Sequence, residues 1–182
     1  MKLPRSIVPL VAALAATAFS AQAEEKTWLT FEGKEGPGKG KRVVLLAGDE
    51  EYRSEESLPM LAKILSQRLG FDTTVLFSVE DDGRINPNRN DALSHPEALD
   101  SADAVVMALR FRHWPEEAMA HFEKAYLRGV PFVALRTATH SFNYGKDSKY
   151  AKYAYNFGGP DWVKGFGRQV LGETWVNHWG PS

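Results

Sequence analysis

The sequence predicts an α/β protein built on a parallel sheet, because short buried-strand patterns alternate with amphipathic helical patterns. Strand patterns lie at positions 42–47, 73–77, 104–109 and 130–135, and the first is a continuous apolar run typical of a strand covered on both faces. Helical patterns separate the first run from the second and the third run from the fourth. Right-handed crossovers between such strands give a three-layer, flavodoxin-like architecture, for which we predict the strand order 2-1-3-4.

The first helix follows the first strand. Its apolar residues recur at helical spacing on one face, as Leu58, Leu61, Ala62, Leu65 and Leu69. Ser54 or Ser57 is the candidate N-cap, and Pro59 is compatible with the helix only in its first turn. Gly70 is placed to end the helix.

A second helix is predicted between the third and fourth strands. Pro115 opens it and Gly129 closes it. Its shared apolar face carries Met119, Phe122 and Tyr126. Positions 80–99 are polar and show no period, which predicts a long excursion with at most one short helix.

The first 23 residues have the pattern of a secretory signal peptide. Lys2 and Arg5 precede an apolar run at 7–19, and Ala21-Gln22-Ala23 follows as a cleavage site. The run is shorter than the roughly 20 apolar residues that span a bilayer. We therefore expect cleavage and export to the periplasm or the medium, with no stable membrane span afterwards.

The rest of the chain fits one globular domain. We expect a polar leader arm or short strand at 24–41 and the domain itself at 42–182. The 22 Lys and Arg residues against 23 Asp and Glu residues leave no basic excess, so no nucleic-acid partner is expected. The chain contains no cysteine, which excludes disulfides, zinc–thiolate sites and a cysteine nucleophile.

Charged residues follow three of the four predicted strands. Because ligands bind beyond the carboxyl ends of parallel strands, we expect these loops to surround one cleft. The first loop carries Asp49, Glu50, Glu51, Tyr52 and Arg53. The loops after the third and fourth strands carry Arg110, Arg112, Arg136, Thr137 and His140. Mutual pairing and solvation of these groups is the alternative interpretation.

The turn after the fourth strand has the place and the small flanking residues of a nucleophile elbow. Its apex is Arg136, which cannot attack a carbonyl but can bind a carboxylate, a phosphate or a developing oxyanion. We expect its side chain either to reach the cleft or to pair with Glu50 or Glu51. Thr137 and Thr139 are more consistent with capping the turn than with nucleophiles.

Three separated stretches resemble the ThuA-like (trehalose utilisation) family. They are 44–53 (VLLAGDEEYR), 135–142 (LRTATHSF) and 166–178 (FGRQVLGETWVNH). The resemblance is to exported bacterial members and implies a class I glutamine amidotransferase-like fold with a link to sugar metabolism. It also implies that Arg136 stands where an amidotransferase has its cysteine, so no amidotransferase nucleophile is expected. Relatives continue past the last stretch and tend to carry a second histidine at the place of Trp179, so the resemblance implies either a C-terminally truncated chain or a divergent end.

Two functions of different class follow. In the first, the protein is an enzyme acting on trehalose or a keto-sugar, with Glu50 or Glu51 as acid or base and His140 as proton-transfer partner. In the second, it is a non-catalytic carbohydrate-binding or accessory domain that uses the same residues. The expected substrate-binding residues are Asp49, Tyr52, Arg53, Arg110, Arg112, Arg136, Thr137 and His178.

No cofactor and no metal are expected. His140 and His178 with neighbouring carboxylates offer ligand atoms, but no local ligand spacing supports a metal site. The loops also lack the Ser/Thr/Gly-rich character that binds a flavin phosphate. Late aromatic residues fit core or lid packing or, alternatively, stacking on sugars. They are Trp114, Trp162, Trp175, Trp179, Tyr150, Tyr153 and Tyr155.

Overall fold

A computed structural model describes residues 26–177 and contains one five-stranded, mostly parallel sheet of an α/β protein. The strands are β1 (Leu29–Phe31), β2 (Arg42–Gly48), β3 (Asp72–Phe77), β4 (Ala104–Leu109) and β5 (Phe132–Ala134). Their order in the sheet is β1-β3-β2-β4-β5. The four strands β2 to β5 therefore lie in the predicted order 2-1-3-4. The predicted signal peptide at 1–23 and the predicted site residue His178 lie outside the described residues.

The three central strands match the sequence prediction closely, and the edge strand β5 does not. β4 has the predicted bounds, whereas β5 pairs over three residues of the six predicted. Leu135 continues the contact only through its backbone N–H, which donates to the Met107 carbonyl at 2.9 Å. The chain then turns away from the sheet because Arg136 adopts a left-handed conformation, with φ 52°.

The leader arm is part of the sheet. β1 runs antiparallel to β3, with Leu29 opposite Val75. The backbone N–H of Gly33 donates to a carboxylate oxygen of Asp72 at 2.7 Å and fixes the arm beyond β1. The predicted boundary at residue 42 therefore divides residues that belong to one sheet.

Helix α1 (Ser54–Leu69) begins by a different mechanism from the predicted one. Neither Ser54 nor Ser57 caps it, because Arg53 precedes the helix in a left-handed conformation and the Ser54 hydroxyl exchanges hydrogen bonds with the Asp49 backbone. Pro59 is consequently the sixth helical residue, in the second turn and not the first. Gly70 ends the helix as predicted, with φ 80°.

Helices cover both faces of the sheet, since alternate residues of β2 pack in two different cores. Val43, Leu45 and Ala47 belong to the core that contains Leu58 and Ala62 of α1. The opposite core contains Val44 and Leu46, together with residues of helix α2 (Glu116–Leu127). This two-sided burial explains the continuous apolar runs in the sequence.

Short helical turns fill the remaining connections. The predicted excursion between β3 and β4 contains one 3-10 helix, Pro96–Ser101. A second 3-10 helix, Arg136–His140, follows β5 directly, and a π-helical turn, Gly167–Leu171, packs against it. In the described part of the chain, no helix has the length and apolar character needed to cross a membrane.

Candidate functional site

The loops that follow β2 and β5 meet at one edge of the sheet and enclose a cleft of about 320 Å³. β2, β4 and β5 run parallel, so their carboxyl ends lie at the same edge. Five residues predicted for the site line this cleft, and two further residues complete it. The lining consists of Glu51, Tyr52, Arg136, Thr137, Thr139, His140 and Trp175.

Each of the three rim loops contains a non-glycine residue with a left-handed backbone. These residues are Arg53 (φ 51°), Phe111 (φ 53°) and Arg136 (φ 52°). Such conformations cost of order 1–3 kcal/mol and persist only where surrounding contacts impose them. Arg136 thus gives the turn after β5 the sharp geometry predicted for an elbow.

Asp49 joins the first loop to the elbow. Its side chain is completely buried and accepts a hydrogen bond from the Thr137 hydroxyl. It also accepts from the backbone N–H groups of Glu51 at 3.0 Å and Tyr52 at 3.3 Å. The Asp49 carboxylate is therefore enclosed by the protein and positions the two loop residues that line the cleft.

Arg112 is completely buried beneath the rim and does not line the cleft. Its guanidinium donates to the carbonyl oxygens of Arg110 (2.6 Å), Pro87 (3.0 Å) and Arg89 (3.0 Å). It also donates to the Ser78 hydroxyl at 3.3 Å and to the Glu50 carboxylate at 2.7 Å. Burial lowers the pKa of Arg112, and the neighbouring Glu50 carboxylate opposes this shift.

Glu50 bridges two arginines, because its second carboxylate oxygen pairs with Arg110. Arg110 also lies 3.1 Å, Nε to Oε2, from Glu51. Glu50 is therefore committed to the protein's own cations, whereas Glu51 reaches the cleft while held by Arg110. Of the two predicted acid–base candidates, only Glu51 lines the cleft.

Arg136 and Arg53 have different environments. The Arg136 guanidinium lies 4.0 Å from the ring centroid of Tyr52 and lines the cleft. It does not pair with Glu50 or Glu51, which contact Arg110 and Arg112 instead. Arg53 pairs with Glu56 in the first turn of α1 and is absent from the cleft lining.

His140 forms the buried side of the cleft within a group of aromatic rings. Its ring centroid lies 4.9 Å from that of Phe111 and 5.2 Å from that of Trp175. The Thr139 hydroxyl is 3.4 Å from His140 Nδ1. His140 thus faces the cleft from a largely apolar setting, where proton transfer to a bound ligand is possible.

The sequence-based site omitted Thr139 and Trp175. Trp175 lies in the third motif, but nothing in its local spacing distinguishes it from a core tryptophan. Trp114, by contrast, is 2% exposed and belongs to the core, as do Tyr150 and Tyr153. Core packing therefore accounts for Trp114, Tyr150 and Tyr153, whereas Trp175 lines the cleft and stacking on a sugar remains a prediction for it.

A larger cavity of about 940 Å³ lies beside β1 and contains none of the predicted site residues. Trp28 and His95 stack there, with ring centroids 4.1 Å apart. Within residues 26–177, no group of three or more histidine, aspartate or glutamate side chains is arranged to hold a metal ion. The chemistry of the predicted site therefore lies in the smaller cleft.

These observations define an α/β protein with a polar and aromatic cleft at the carboxyl edge of its sheet. Compared with protein-family models, curated proteins and solved structures, the chain gives no match.

Proposed function

We propose that this chain is an exported ThuA-like domain protein that binds and processes a sugar in the cleft at the carboxyl edge of its sheet. The proposal includes a class I glutamine amidotransferase-like, flavodoxin-like fold. It is supported by the three motifs, by the parallel order of β2 to β5, and by the left-handed Arg136 at the place of an elbow residue.

The composition of the cleft carries the sugar proposal. Tyr52 and Trp175 offer ring faces, and sugars stack on such rings through their C–H surfaces. Glu51, Thr139 and His140 add hydrogen-bonding groups that suit hydroxyls. A volume of about 320 Å³ lies within the range of small-ligand pockets. The expected ligand is the size of a monosaccharide unit.

Glu51 and His140 are the proposed proton-transfer groups. Both line the cleft, and a carboxylate and an imidazole are the side chains most often used as general acid or base. Glu50 has no part in this step, because Arg110 and Arg112 occupy its carboxylate. Its role in the proposal is to hold the rim in place.

Binding without turnover is the second candidate, and a specific observation favours it. Arg110 lies 3.1 Å, Nε to Oε2, from Glu51, so the carboxylate is already engaged by a cation of the protein and is not directed at a ligand alone. The elbow also presents a guanidinium and not a nucleophile. The two candidates share the cleft and differ only in whether a product appears.

Calorimetric titration of the full chain with glucose, trehalose, a 3-keto-glucoside and glucuronate tests binding. Trp175→Ala removes a ring face of the cleft and should weaken binding, whereas Trp28→Ala, in the other cavity, is the matched control and should not. If no sugar binds, the proposal is overturned. Chromatography of the incubated sugars then distinguishes catalysis from binding without turnover. If the protein is an enzyme, the parent chain should form a product and Glu51→Gln should not.

Export is tested separately, by cell fractionation and mass spectrometry of the recovered protein. The expected mature N-terminus is Glu24, because cleavage is predicted after Ala23. A cytoplasmic chain that still begins at Met1 would contradict it.

A further inference from the structure

Arg136 differs from the other rim arginines in its partners. Arg110 and Arg112 pair with Glu50, and Arg53 pairs with Glu56. Within residues 26–177, Arg136 forms no ion pair and no side-chain hydrogen bond; its guanidinium instead lies 4.0 Å from the Tyr52 ring centroid. A guanidinium in this setting keeps its N–H donors available to a ligand.

The backbone holds Arg136 at one place on the cleft wall. The preceding N–H, of Leu135, donates to Met107 of β4 at 2.9 Å, and the following residue, Thr137, is tied to Asp49. Between them Arg136 has φ 52°, a conformation that glycine adopts at lower cost. The contacts on both sides impose this conformation, so the turn presents the Arg136 side chain at a fixed point of the cleft wall.

The neighbouring acids do not satisfy this cation. Glu50 is bound by two arginines, and Asp49 is buried and saturated by Thr137 and backbone N–H groups. Glu51, across the same cleft, lies against Arg110. Arg136 is therefore the cleft group best suited to an anionic ligand.

We propose that the ligand of this cleft is a sugar acid, a uronate or an aldonate, whose carboxylate binds Arg136. A planar guanidinium matches a carboxylate through two parallel N–H···O bonds, while the Trp175 ring in the same cleft contacts the sugar carbons. This inference rests on the proposed sugar-binding function and specifies the class of sugar.

The test compares glucuronate with glucuronamide, which has the same shape without the negative charge. By calorimetry with the parent chain, glucuronate should bind about 10- to 100-fold more tightly, as expected for a charge-assisted pair. Added salt should reduce that difference.

Variants of Arg136 test whether its guanidinium causes the preference for glucuronate over glucuronamide. Arg136→Lys keeps the charge but loses the two parallel N–H···O bonds and should retain only part of the preference, while Arg136→Gln should abolish it. Arg53→Gln, on the same rim but outside the cleft lining, is the matched control and should keep it.

Each outcome bears on the inference. Equal affinity for glucuronate and glucuronamide in the parent would overturn the sugar-acid assignment and leave the sugar-binding proposal intact. Absence of binding by every sugar, neutral or acidic, would overturn both. Acetate or inorganic phosphate binding as tightly as glucuronate would also overturn the assignment, since the cleft would then recognise any anion. Thermal unfolding of each variant verifies that a loss of affinity is not a loss of fold.

Discussion

Replacement of the buried Arg112 by lysine should strongly destabilise the protein. The arginine donates five hydrogen bonds from a completely buried position, including one to the Glu50 carboxylate. Lysine keeps the positive charge but offers only three donors from one nitrogen. At least two of the five acceptors, among them the carbonyls of Pro87 and Arg89 in partly buried hydrogen bonds, then lose their partners.

The expected loss follows from those acceptors. Each buried acceptor left unpaired costs about 1–3 kcal/mol, so two of them lower the free energy of unfolding by about 2–6 kcal/mol. For a chain of this size, 1 kcal/mol shifts the melting temperature by about 2–4 °C. The melting temperature of Arg112→Lys should therefore fall by at least about 4 °C.

Urea and thermal unfolding followed by circular dichroism measure the change. Arg84→Lys is the matched control, because the Arg84 side chain is 78% exposed and pairs with Asp82 at the surface. The control should unfold with the parent. If Arg112→Lys also unfolds with the parent, the buried network contributes nothing to stability and the reasoning is refuted.

Two further substitutions test the packing around the cleft, and a third tests a buried tyrosine of the core. Thr137→Val keeps the shape but deprives the buried Asp49 of its hydroxyl partner, so urea unfolding should show a loss of about 1–3 kcal/mol. Gly167→Ala places a methyl group against the Thr139 carbonyl, so the same measurement should show destabilisation and sugar affinity should fall with it. Burial raises the pKa of Tyr144 well above its ordinary value of 10, so the folded state keeps the proton that the unfolded state loses. Stability should therefore fall as the pH rises above 10, and Tyr144→Phe should show a shallower alkaline loss; equal slopes would contradict this.

Burial on both faces made the central strands predictable from sequence. β2 and β4 carry long apolar runs, and β3 ends in one, because α1 covers one face of the sheet and α2 the other. β5 lies at the edge and pairs on one side only, so its six-residue pattern exceeded the three paired residues. The start of α1 was not predictable, since the Ser54 hydroxyl that suggests a cap is used by the Asp49 backbone instead.

The site was predictable as a location but not in its detail. Parallel strands bring the loops after β2 and β5 to one edge, which placed Glu51, Arg136 and His140 together. Strand alternation cannot show that neither Arg110 nor Arg112 lines the cleft, because Phe111 takes a left-handed conformation between them. Trp175 reaches the cleft from a late segment without strand or helix periodicity, so no sequence pattern places it.

The backbone strain at the rim connects stability with the proposed function. Three left-handed non-glycine residues occur in three loops at one edge of the sheet, and each lowers stability by of order 1–3 kcal/mol. Their side chains have separate tasks: Arg53 pairs with the first turn of α1, Phe111 packs beside His140, and Arg136 enters the cleft. Among the described residues, the Arg136 side chain contacts only the Tyr52 ring. Pairing and packing within the protein therefore give a role to the side chains of Arg53 and Phe111, but not to that of Arg136. In the proposed sugar-acid complex, the ligand carboxylate is the partner of Arg136, and binding gains from a guanidinium that the fold has already oriented.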